Sequence, residues 1–224
     1  MNEIFFFLQI ITVISFVLAS LYLGKETLVA CICIQAVLAN LFVIKQITLF
    51  GLNVTSSDVF VIGSVLALNL LQEYFGKSVT KKAIWASFLM AFFYLVMSQL
   101  HLLYVPNMYD NTHNFFVGIL KFMPRITIAS LIAYFIVQRL DCWFYGLLKK
   151  AFESKYLITR NIVSILVTQF VDTFLFAFMG LYGIIASIWS VILISFVIKT
   201  IIILVSTPFV GLSKRVIRKN YKEV

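Results

Sequence analysis

Apolar residues run along this chain in seven long blocks, at about 4–23, 27–47, 57–75, 83–104, 122–146, 161–180 and 182–207. Each is close to the roughly 20 residues a helix needs to cross a bilayer. The breaks between them are short. Gly24-Lys25-Glu26 separates the first two. The stretch from Ile47 to Ser57, through Gly51-Leu52-Asn53-Val54-Thr55, is turn-rich and reads as a re-entrant or interfacial link. Gly180-Leu181-Tyr182-Gly183 leaves so little chain that the last two blocks must form an antiparallel hairpin. The expected fold is all-α: a polytopic membrane helix bundle of about seven transmembrane helices, with residues 1–224 forming a single integral domain.

Polar residues interrupt these blocks at helical spacing. The sixth block holds Thr168-Gln169-Phe170-Val171-Asp172-Thr173, in which Gln169, Asp172 and Thr173 share one helix face. An aspartate at that depth costs a few kcal/mol unless it meets a partner or a wet cavity, so this face is either a polar clasp between helices or a site for a polar solute. The fifth block carries a stripe of Thr127, Ser130, Tyr134, Gln138 and Asp141. The third carries Asn69, Gln72 and Glu73, the second Gln35, Asn40 and Lys45, the last Ser195 and Lys199. Five helices with polar faces must satisfy one another or enclose water. Depth counted along the blocks suggests two layers. Arg125, Lys45, Asn40, Gln169 and Asp172 form an outer-to-middle layer, and Glu73, Gln138, Asp141 and Lys199 an inner one. Lys199 is thereby matched with Asp141 or Glu73 rather than with Asp172. The inner layer has a plainer alternative, an interfacial anchor network. Tyr134 can stack on a flat ligand or make a structural hydrogen bond.

Composition agrees with a membrane protein. The 224 residues are 62% hydrophobic and 12% charged, with mean hydropathy +1.03, whereas soluble domains are about half apolar and a quarter charged. The net charge of +9 serves topology rather than nucleic-acid binding. Lys25; Lys77, Lys81 and Lys82; Arg139, Lys149, Lys150, Lys155 and Arg160; and the basic tail from 208 to 224 all fall on one side of a seven-span chain. The opposite loop, His101 to Phe116, has neither Lys nor Arg. The positive-inside rule places the N-terminus outside and the tail in the cytoplasm. Cys31, Cys33 and Cys142 read as small buried hydrophobes, and the first block as a retained helix rather than a signal peptide. There is no Walker A sequence, no His-Glu-x-x-His and no Gly-x-Ser-x-Gly. Nothing here indicates an enzyme, a cofactor or a metal site.

From Leu38 to Leu212 the chain resembles the queuosine-precursor transporters, also called vitamin-uptake-like transporters, of the bacterial inner membrane. The resemblance rests on Leu38-Ala39-Asn40 with Lys45; Leu71-Gln72-Glu73-Tyr74-Phe75-Gly76-Lys77; and Met123-Pro124-Arg125-Ile126. It continues through Ser130-Leu131-Ile132-Ala133-Tyr134 with Gln138 and Asp141, Gln169-Phe170-Val171-Asp172-Thr173, and Lys199 with Thr207-Pro208. Members often have an acid where this chain has Asn69. Some lack the first helix, which makes residues 1–24 peripheral to a six-helix core. The resemblance implies import of queuine or a related 7-deazaguanine for tRNA modification. Asp172 and Gln169 are the expected principal substrate contacts. Asn40, Arg125, Gln138, Asp141 and Tyr134 support them, and Glu73, Lys199 and Lys45 form a charge network. The expected partners are a small-molecule base and the lipid bilayer, with no direct contact to nucleic acid and homo-oligomerisation left open. The alternatives are a substrate-capturing subunit of an ATP-driven uptake system, a structural membrane subunit without a solute, and an intramembrane enzyme.

Overall fold

The computed structural model describes residues 1–55, 57–151 and 157–201; within these, the side chains of Gln138, Asp141, Cys142 and several neighbours, and of most of 157–165, are not described. Five helical segments are long and apolar enough to span a membrane: α1 (Asn2–Leu23), α2 (Lys25–Phe42), α3 (Asp58–Phe75), α4 (Lys77–Leu102) and the run His113–Val137. Two shorter apolar helices, Leu166–Leu181 and Ile188–Ile201, complete seven among the described residues. The run from His113 consists of α5 (His113–Leu120) and α6 (Met123–Ala151). Pro124 lies in the first turn of α6, where its missing N–H has no helical acceptor to lose. Next come α7 (Leu157–Phe176), which passes into a π-helical turn at Ala177–Leu181, and α8 (Ile188–Ile201). Many large apolar side chains, among them Phe5, Phe16, Trp85, Phe93 and Phe135, remain exposed on the outer faces. That pattern suits a lipid solvent rather than water.

The second span ends earlier than its apolar run suggests. Helix α2 stops at Phe42, and the chain then forms an antiparallel hairpin of β1 (Gln46–Leu49) and β2 (Leu52–Thr55). Ile47, Thr48, Val54 and Thr55 are β-branched and suit a strand. Phe50 and Gly51 both take positive φ, 50° and 79°, as the tightest hairpin turns demand. Leu49 and Val54 are buried with Ile62, Ile194 and Ile198, so the hairpin packs over α3 and α8. Three hydrogen bonds tie it to its surroundings. Asn2 Nδ2 donates to Thr48 O at 2.9 Å, Phe50 N to Glu3 Oε1 at 3.2 Å, and Ala186 N to Gln46 Oε1 at 3.0 Å.

The opposite half is held by a cluster joining α1 to α4, with Val17, Leu21, Leu28, Leu70 and Leu71 fully buried. Helix α1 contributes one face only; Ile4, Phe7, Leu8 and Ile11 on its other side are exposed. A third cluster, around Val43, Leu120, Met123, Ile126 and Leu181, joins the hairpin end of α2, α5 and α6 to the π turn. Between α4 and α5, Asp110 accepts hydrogen bonds from Thr112 Oγ1, Thr112 N and His113 N, and these hold its carboxyl below the usual range.

The link between the last two helices is longer than the sequence suggests. It runs from the π turn to Ser187, and α8 begins only at Ile188, where the Ser187 and Ser190 hydroxyls pair at 2.9 Å. The basic tail, Thr207-Pro208 and Arg160 lie outside the described residues or side chains.

Candidate functional site

The late start of α8 decides which charge meets which. From Ile188, Lys199 lies about 17 Å along its helix, and from Leu181 back to Asp172 is about 14 Å, at ~1.5 Å per residue. The two residues therefore come level. Lys199 Nζ donates to Asp172 Oδ2 at 2.8 Å and to Thr173 Oγ1 at 3.1 Å. Thr173 Oγ1 donates its own hydrogen bond to Gln169 O at 2.8 Å, which turns its lone pairs toward the lysine. Lys199 thus pairs with Asp172, where depth had suggested Asp141 or Glu73. Glu73 is exposed at the far end of α3, and the Asp141 side chain is outside the described set. Counting α8 from Tyr182 would put Lys199 about 26 Å deep at the same rise, which is the source of the difference.

The ion pair stands on the wall of a cavity of about 700 Å³, within the roughly 300–1,000 Å³ typical of small-molecule sites. Six helices, the π turn and the end of the hairpin enclose it. Gln35 and Asn40 come from α2; Asp58 and Asn69 from α3; Ser87 and Phe88 from α4. Helix α6 brings Thr127, Ser130 and Tyr134; α7 brings Thr168, Gln169, Asp172 and Thr173; α8 brings Ser195 and Lys199. Phe60, Phe88 and Phe176 supply aromatic wall, and Tyr134 meets Phe88 edge to face at 4.7 Å. Asp172 is a quarter exposed, Lys199 almost fully buried. The second Asp172 oxygen carries no hydrogen bond to a described residue. Lys199 neutralises the carboxylate and leaves that oxygen as an acceptor on the cavity side.

Four of the residues expected in the substrate site, Asp172, Gln169, Asn40 and Tyr134, come together here. Lys199, expected in the charge network, joins them. Arg125 does not. It is exposed, and its Nε donates to Met179 O at 2.8 Å, satisfying a carbonyl of the π turn. Lys45 lines a separate, wider groove beside Tyr94, His101 and Tyr104. Gln138 and Asp141 continue the α6 stripe beyond Tyr134, with side chains outside the described set.

Sequence reasoning passed over Asp58. It opens α3 beside a turn-rich link and looks like a boundary residue. In the fold it is buried, and Ser195 Oγ donates to its Oδ2 at 2.7 Å. The signal available was Ser195 itself, one turn from Lys199 on a buried face and in want of a partner. Gln35 is also buried here. Its Nε2 donates to Cys31 O and Sγ, and its Oε1, like Thr127 Oγ1, has no partner.

A bundle of apolar spanning helices around a partly open cavity whose apolar wall carries charged and amide side chains is the architecture of a solute carrier. A profile described as "Putative vitamin uptake transporter" matches residues 55–213. The chain is also 34% identical over 221 residues, 96% of either chain, to a Bacillus subtilis protein named "Probable queuosine precursor transporter". This chain belongs to that family of vitamin-uptake-type transporters; it is a transporter rather than an enzyme. No solved structure matches it.

Proposed function

We propose that this protein imports a queuosine precursor, queuine or a related 7-deazaguanine, across the bacterial inner membrane for use in tRNA modification. The observation that carries this reading is the wall on which Asp172 and Gln169 stand together, facing a cavity of small-molecule size. A 7-deazaguanine presents N–H donors beside a carbonyl on its pyrimidine edge. A carboxylate accepts from the donors, and an amide can read both kinds of group. Lys199 holds one Asp172 oxygen at 2.8 Å. Asn40 reaches the cavity from another wall, and the Tyr134–Phe88 pair offers an aromatic surface for the heterocycle. Gln138 and Asp141 would extend the polar path along α6. Glu73 would stand where that path leaves the bundle. Charge asymmetry supports an external N-terminus and a cytoplasmic tail, with α1 peripheral to the transporting core.

The test is uptake of each radiolabelled candidate base in cells lacking their own synthesis and transport, with and without this chain. Accumulation dependent on the chain is the expected result. Absence of uptake for every 7-deazaguanine would remove the reading.

A further inference from the structure

We propose that the groove beside Lys45 is a binding site for an anionic phospholipid, with the phosphate on the Lys45 ammonium and an acyl chain along the groove. The groove has a volume of about 1,250 Å³, larger than the roughly 300–1,000 Å³ usual for a small solute. It is separate from the Asp172 cavity, and no described residue lines both. Its walls are the end of α2, the last turns of α4, and α5. The lining is mostly apolar, with Leu41, Met97, Leu100, Phe116, Ile119 and Leu120 prominent. Met97, Leu100, Phe116 and Ile119 are exposed on the outside of the bundle. The groove is therefore continuous with the lipid-facing surface, and a hydrocarbon chain can enter it from the side.

What sets this groove apart from the rest of the apolar surface is the charge at its end. The 18 residues of α2 rise about 27 Å, close to the thickness of the hydrocarbon core. Lys45, just past Phe42, therefore stands at headgroup level. His101, in the last turn of α4, and Tyr104 line the same groove at the same end. Lys45 is exposed, and its ammonium makes no hydrogen bond or ion pair among the described residues. No Asp or Glu is among the described residues that line the groove. A phosphate supplies the missing anion through a charge-assisted hydrogen bond. The His101 ring sits edge to face against Tyr104 and Phe116, at 6.0 and 5.4 Å, and has an N–H to donate in either ionisation state. A zwitterionic headgroup would bring a cation of its own, with no carboxylate there to receive it. The groove thus favours a headgroup whose only charge is its phosphate. Leu120 on the lining also belongs to the cluster that joins α5 and α6 to the π turn, so a lipid seated here braces that seam.

The experiment titrates the purified full-length protein with phosphatidylglycerol, phosphatidylcholine or inorganic phosphate. Native mass spectrometry reads retained lipid and oligomeric state, and a melting curve accompanies each titration. The wild type should hold phosphatidylglycerol about 5-fold more tightly than phosphatidylcholine, the worth of one basic residue beside an anionic headgroup. Lys45→Gln should lose that preference. Lys121→Gln removes an exposed lysine at the end of α5 that does not line the groove, and should keep it. Ile119→Trp, which fills the groove, should weaken retention of both lipids. Equal retention of the two lipids by the wild type overturns the inference, and so does a preference that survives Lys45→Gln. Inorganic phosphate that stabilises as well as phosphatidylglycerol overturns it by leaving the apolar groove without a part. A lipid-free dimer that Ile119→Trp dissociates overturns it by putting a second copy in the groove. None of these readouts depends on which solute the Asp172 cavity carries.

Discussion

Lys199 and Asp172 lie level with each other across the last helical hairpin, 2.8 Å apart, with the lysine almost fully buried. The aspartate therefore has two tasks. One oxygen neutralises an ammonium that would otherwise be stranded, and the other is an acceptor on the cavity wall.

This dual role dictates how Asp172 must be tested. Asp172→Asn should abolish or sharply reduce uptake, but it should also lower stability, because removing one partner of a buried pair costs about 3–5 kcal/mol. The double variant Asp172→Asn with Lys199→Met should regain most of that stability, since no charge is left unpaired, and should still fail to transport. Melting curves and uptake per folded molecule separate the two effects. Near-normal uptake by the double variant would remove Asp172 from the substrate site.

Arg125 should behave in the opposite way. Its Nε holds Met179 O in the π turn, and it does not line the cavity. Arg125→Gln should cost about 0.5–1.5 kcal/mol of stability, the net worth of a hydrogen bond. Substrate affinity of the folded protein should be unchanged in equilibrium binding.

Gly63 on α3 packs tightly against Gln35 of α2 and Val13 of α1. A Cβ there would fall on Gln35 Oε1 and Val13 Cγ1. Gly63→Ala should destabilise by about 1–3 kcal/mol, as overpacking does, and should disturb the cavity wall through Gln35. Adding Gln35→Ala should recover part of the loss in a thermal melt.

Topology can be read by thiol labelling in a background without Cys31, Cys33 and Cys142. Asp110→Cys should react with an impermeant reagent applied from outside, and Lys150→Cys only after the membrane is opened. Reaction of both from one side would refute the seven-span reading.

The seven apolar blocks and the polar face of Gln169, Asp172 and Thr173 were legible in the sequence because membrane burial imposes a length and a helix imposes a period. Boundaries were not. Ile44 to Thr55 continues the apolarity of α2, yet its β-branched residues and the Phe50-Gly51 turn make it a hairpin. The residues from Tyr182 to Ser187 are apolar enough to count as span, and that error pushed Lys199 past its partner. Asp58 was missed for a related reason. Position in the chain placed it at a helix end, while the hairpin folding over α3 placed it inside.

The π turn at Ala177–Leu181 follows the Gln169–Asp172–Thr173 face, and its own Gly180 and Leu181 pack on α6. A π turn accommodates one residue more than an α turn. The wide turn absorbs that residue locally, where a plain α-helix would turn by about 100° for each residue added. The face that carries Asp172 is thereby held toward the lysine and the cavity while Gly180 and Leu181 keep their seat on α6.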